Sequence, residues 1–135
     1  MLLTVMTKEL KVNFPNLQFS VNEKEKYITI PAKSNEVGNV TIYDDSHELT
    51  VGVGDFTHWH ASCYEDSLNE KEKTNFIVAE VIEFLTDLFN EKIVMWGSTE
   101  TGGGFYNIEG NLSEQDAPLE PENEEKYVWS GKINS

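Results

Sequence analysis

Apolar and polar positions alternate through the first third of the chain, and that period of two predicts short antiparallel strands. Residues 17–21 are the first candidate. The charged turn Asn22-Glu23-Lys24-Glu25-Lys26 leads into Tyr27-Ile28-Thr29-Ile30, which Pro31 closes because proline has no N–H to give to a ladder. Residues 40–43 and 49–53 read as a hairpin joined through Asp44-Asp45-Ser46-His47. Gly54-Asp55 then turns the chain into Phe56-Thr57-His58-Trp59-His60-Ala61-Ser62-Cys63-Tyr64, a further strand. Short connections between these runs imply a meander of about five strands.

Between Asn75 and Asn90 the period becomes helical. Ile77, Val81, Phe84 and Leu88 form one stripe, with Val78, Ile82, Leu85 and Phe89 beside it. Glu80, Glu83, Asp87 and Glu91 follow on the opposite side. The start is expected near Asn69 or Thr74, where Glu70 and Glu72 would complement the helix dipole. Residues 92–96 are nearly all apolar, as in a strand covered on both faces. Thr101-Gly102-Gly103-Gly104 reads as a turn into Phe105-Tyr106-Asn107-Ile108. Residues 112–125 hold acidic side chains with Pro118 and Pro121, the composition of a solvated loop, and Tyr127-Val128-Trp129 reads as a last edge strand. The expectation is one α+β domain over residues 1–135: a meander, one long amphipathic helix on one of its faces, then two or three further strands.

Strand parity assigns the faces. Ile28, Ile30, Val40, Ile42, Leu49, Val51 and Val53 share one side, joined by Trp59, Ala61 and Cys63, and the helix should cover them. The other side carries Tyr27, Thr29, Thr41, Tyr43, Thr50, Phe56, His58, His60 and Tyr64. A plain solvated sheet can look like this. So can a recognition platform, since Tyr and His combine contact area with polar tips.

Charge changes the picture more than size does. The chain has 135 residues with 24 acidic and 10 basic side chains, a net charge of −14, and every basic residue is Lys. An acidic chain without arginine repels a phosphate backbone and lacks the bidentate group that phosphate sites commonly use, which argues against nucleic acid as a partner. A basic protein partner fits, although acidity also serves solubility alone. The single Cys63 permits no intrachain disulfide, and the N-terminus has neither a basic start nor a long apolar run. A cytoplasmic protein without a membrane span is expected.

The candidate chemistry is thin. His58 and His60 share a face roughly 6–7 Å apart at Cα, within reach of one metal ion, with His47 and Asp66 as conceivable further ligands. No paired-cysteine or HExxH spacing accompanies them. Surface histidines in cross-strand hydrogen bonds are the plainer reading, and no cofactor is expected. Cys63 faces away from His60 on a regular strand, which opposes a nucleophile pair. Neither Gly102-Gly103-Gly104 nor Gly52-Val53-Gly54 opens a helix, so both read as turns or bulges needing positive φ and not as phosphate loops. No catalytic residue is assigned.

Phe56-Thr57-His58-Trp59-His60, Tyr64-Glu65-Asp66 and Glu83-Phe84-Leu85 running into Lys92-Ile93-Val94-Met95-Trp96 resemble small acidic bacterial proteins grouped with the immunity proteins of polymorphic toxin systems. The resemblance spans residues 56–96 and contains no diagnostic motif. It implies a non-enzymatic protein that binds and blocks a toxin domain, commonly a basic one, and carries over no toxin-contacting residue. The expected binding surface is Tyr43, His58, His60 and Tyr64 on the sheet with Glu80, Glu83 and Asp87 on the helix. The alternative is a metal-dependent hydrolase or small-ligand site on His58 and His60. A third possibility is a homodimer, in place of a monomer, that pairs edge strands such as 127–129.

Overall fold

In the computed structural model, which describes residues 2–54, 57–98, 102–108 and 126–133, the alternating first third folds as a five-stranded antiparallel sheet. Its strands follow chain order: β1 (Ser20–Asn22), β2 (Tyr27–Ile30), β3 (Val40–Asp44), β4 (Glu48–Val53) and β5 (Thr57–Ser62). Every second residue of β2, β3 and β4 is sealed: Ile28, Ile30, Val40, Ile42, Leu49, Val51 and Val53 are all buried. Each such aliphatic side chain contributes about 1.5–3 kcal/mol on burial, which pins the register.

Two helices cover that face. α1 (Leu2–Asn13) was not anticipated from the alternation, yet Leu2, Met6 and Leu10 recur every four residues and are buried. It lies beside α2 (Glu70–Phe89) and over β2 and β3, and its Leu3 N–H donates to the Asp44 carboxylate at 3.1 Å. α2 starts at Asn69, the earlier of the two expected points. The Asn69 side chain accepts from the Glu72 N–H at 2.8 Å, while the Glu72 carboxylate accepts from the Asn69 N–H at 3.1 Å. Such a capping box is worth about 1 kcal/mol. Ile77, Val78, Val81, Phe84, Leu85 and Leu88 are buried against β4 and β5, as the stripe predicts. Among the described residues no helix is long and apolar enough to cross a membrane.

A second antiparallel sheet follows, in the order β7 (Gly102–Asn107), β6 (Ile93–Ser98), β8 (Lys126–Val128), β9 (Gly131–Lys132). Two expectations are corrected here. Gly102, Gly103 and Gly104 form no turn: they pair with Ser98, Gly97 and Trp96 within β7. Gly104 lies under the Trp96 ring, where an added Cβ would stand 2.8 Å from the indole, so the glycine serves close packing. Residues 127–129 are not a free edge, because β8 sits between β6 and β9. Trp129 lies in the following turn and is buried, its ring 5.6 Å from that of Phe89. Phe56 and residues 112–125 lie outside the described residues.

Gly54 behaves as expected, with φ +53° at the turn after β4. Gly52, in the same run, pairs with Thr41 and His58 as an ordinary strand residue.

Candidate functional site

β5 places its side chains by simple alternation. Thr50 pairs with His60, Val51 with Trp59 and Gly52 with His58 across the β4–β5 ladder. His58 and His60 are exposed on the outer face, their rings 5.6 Å apart, while Trp59 is half-buried and points to the helix side. Tyr43 and Thr50 share the outer face, Tyr43 being 45% exposed. Tyr64 does not belong there: β5 ends at Ser62, and Tyr64, 85% exposed, lies in the connection to α2. Strand parity therefore no longer governs its direction. Cys63, also beyond the strand, packs against the core.

The outer face holds a polar cluster that spacing alone did not reveal. His60 Nδ1 lies 2.9 Å from Thr50 Oγ1 and 3.4 Å from Glu48 Oε1, and the Thr50 hydroxyl donates to the Asp45 carboxylate. With the proton on Nδ1, this is a continuous chain from imidazole to hydroxyl to carboxylate. Ligating atoms of Asp45, Glu48 and His60 lie within 4.8 Å of one another. His58, His47 and Asp66 are not in this group; His47 and Asp66 border a different depression with Cys63 and Tyr64. The hairpin turn brings Asp45 and Glu48 to His60, a juxtaposition that requires the β4–β5 pairing to be known.

The acidic residues of α2 were expected on the side away from the core. Instead, Glu80, Glu83 and Asp87 border an open cleft of about 340 Å³ between α2, β5 and the second sheet. Its lining is completed by Trp59, Phe84, Ile93, Phe105 and Asn107. At this cleft Glu80 and Asp87 are half-buried while Glu83 is exposed. Glu91 is separate: it follows the helix with φ +64°, meets Lys33 at 3.9 Å and accepts from the Ser130 N–H. The stripe of four carboxylates thus divides into three at the cleft and one at the helix end.

Aromatic rings form the floor. Trp59 and Phe84 have centroids 5.2 Å apart at 56°, and Phe84 and Phe105 are 5.2 Å apart at 71°. Such tilted contacts match the quadrupoles of the rings. The buried Trp59 Nε1–H finds no acceptor among the described residues. Asp87 is fixed by the Asn107 amide, which donates to it at 2.7 Å.

Loss of hydration, reinforced by the neighbouring Glu83 charge, holds the Glu80 carboxyl above its ordinary value. A raised carboxyl value in the folded state is a penalty present above that value and relieved as the pH falls and the group protonates. Glu80→Gln is therefore expected to raise the thermal midpoint at neutral pH. The gain should shrink through the acid range, where the native glutamate is already neutral. Paired melting curves from pH 3 to pH 7 check this; a gain that grew on acidification would contradict it.

The fold and these two sites define an α+β protein with an aromatic, acid-rimmed cleft and an outward histidine face. No family model, curated protein or solved structure matches the chain.

Proposed function

We propose that this chain is a non-enzymatic acidic binding protein that captures a basic protein, in the manner of an immunity protein neutralising a cationic toxin domain. One observation carries the reading: three carboxylates, Glu80, Glu83 and Asp87, border an aromatic-floored cleft with no basic side chain in its lining among the described residues. The net charge of −14 supports it, because such a field speeds encounter with a cationic surface and makes association sensitive to salt. Exposed Tyr43, His58 and His60 offer a second contact area on the opposite side of the sheet, and one rigid partner surface would not cover both. The cleft is the main interface in this reading.

Affinity capture from the native cells, followed by titration with the purified partner, tests it. A basic protein bound in a simple ratio at low ionic strength and released by salt is expected. Recovery of no protein at low salt would overturn the reading.

A metal-dependent site is the second reading, favoured by one observation: the grouping of Asp45, Glu48 and His60. One imidazole and two carboxylates suit zinc or manganese with an open position for water. Protein purified without a histidine tag would then retain or bind one equivalent of metal, and His60→Ala would lose it. Elemental analysis showing none after zinc loading and gel filtration would dispose of this reading.

A further inference from the structure

We infer that the cleft between α2, β5 and β7 receives a single arginine side chain presented by the basic partner. This deepens the proposed function and rests on it. The floor made by Trp59, Phe84 and Phe105 is apolar, and the rim made by Glu80, Glu83 and Asp87 is acidic. An anion is repelled by that rim, and a neutral apolar group leaves the carboxylates unused while displacing their water. A compact, strongly hydrated ammonium meets the rim but gains little from the rings. A guanidinium satisfies both, because it is planar, weakly hydrated, stacks on aromatic faces and forks onto carboxylates. The space, about 340 Å³ and open to solvent, suits one side chain and excludes a folded element.

The helix itself leaves the position for a cation unfilled. No lysine occurs between Thr74 and Glu91, so the rim carboxylates have no cation at helical spacing. Glu80 and Glu83 stand one turn apart and repel each other, and loss of hydration already disfavours the Glu80 charge. A guanidinium between them would relieve both costs. Asp87 keeps a free lone pair beyond its bond from Asn107 and can act as a third acceptor.

The test uses the full chain labelled with ¹⁵N and titrated with N-acetyl-arginine amide. N-acetyl-citrulline amide, a neutral near-isostere, and N-acetyl-lysine amide serve as parallel arms. Expected are saturable shifts centred on the Trp59 indole, the amides of residues 80–87 and those of Phe105 and Asn107. Citrulline should leave these signals in place, and lysine should bind more weakly than arginine. Glu80→Gln/Glu83→Gln, which keeps shape and helix propensity, should weaken arginine binding by about tenfold or more. Phe105→Leu, a milder change to the floor, should weaken it while leaving the unliganded spectrum folded.

Shifts spread over all exposed carboxylates, such as Glu23, Glu25 and Glu65, would overturn the inference, as would equal effects of arginine and citrulline. Capture of a basic partner with no localised arginine response would sink this inference alone. A saturable arginine response in a protein that captures no partner would instead remove the proposed function and leave a small-cation site.

Discussion

Gly54→Ala is expected to cost about 2–4 kcal/mol of stability, or to prevent folding. At Gly54 the backbone adopts φ +53°, and an added Cβ would lie 1.8 Å from the Val37 carbonyl oxygen. Backbone cannot yield as a flexible side chain can. Gly38, with φ +95°, meets the same spot from the other side: its Cβ would stand 2.8 Å from the Gly54 Cα. The loop between β2 and β3 and the turn after β4 thus touch backbone to backbone, and the Gly54 N–H donates to the Asn39 carbonyl at 2.8 Å. This contact matters to the site because it fixes where β4 ends and β5 begins. A slip of one residue would exchange the imidazoles with the indole. Gly52→Ala is the control, since a Cβ there meets nothing closer than 3.9 Å. Urea unfolding followed by circular dichroism should leave Gly52→Ala near the parent midpoint and lower Gly54→Ala sharply. Equal midpoints would mean that the backbone contact is absent.

Reversing the rim charges should have the largest effect on binding. The triple variant Glu80→Lys/Glu83→Lys/Asp87→Lys is expected to weaken association with the captured partner by about a hundredfold or more. The loss should persist at salt concentrations that screen long-range attraction, because these groups act at contact. Glu23→Lys/Glu25→Lys/Glu65→Lys changes net charge equally at exposed positions away from the cleft. It should slow association modestly and only at low salt. Surface plasmon resonance at two ionic strengths separates the two. If both triples weaken binding alike, net charge alone drives recognition and the cleft has no special role.

Much of this arrangement was legible from local pattern. The apolar stripe of α2 needs only its own spacing, and the β2–β4 alternation named the buried residues without reference to any other element. The outward imidazoles and inward indole likewise follow from strand parity. What failed was whatever depends on distant pairing. α1 was obscured because Leu2, Met6 and Leu10 lie among Thr and Val residues that weaken a helical pattern. Gly102–104 read as a turn because nothing in the local sequence reveals the Trp96 ring lying over Gly104. The cleft joins Trp59 to Phe105 through Phe84, three residues far apart in the chain, and the helix stripe alone placed Glu80 and Asp87 on a wet face. Asp45 and Glu48 escaped notice for the same reason. Each looks like turn chemistry until β5 brings His60 alongside.

Proton–proton distances around residue 59 decide the matter most directly. A nuclear Overhauser spectrum of the labelled chain should connect the Trp59 indole to the Phe84 ring and Phe84 to Phe105, with the His58 and His60 rings seeing each other and Thr50. Cross-peaks from the indole to Tyr43 or Thr50, with the two imidazoles reporting on Leu85 or Phe84, would invert the sheet and remove the cleft.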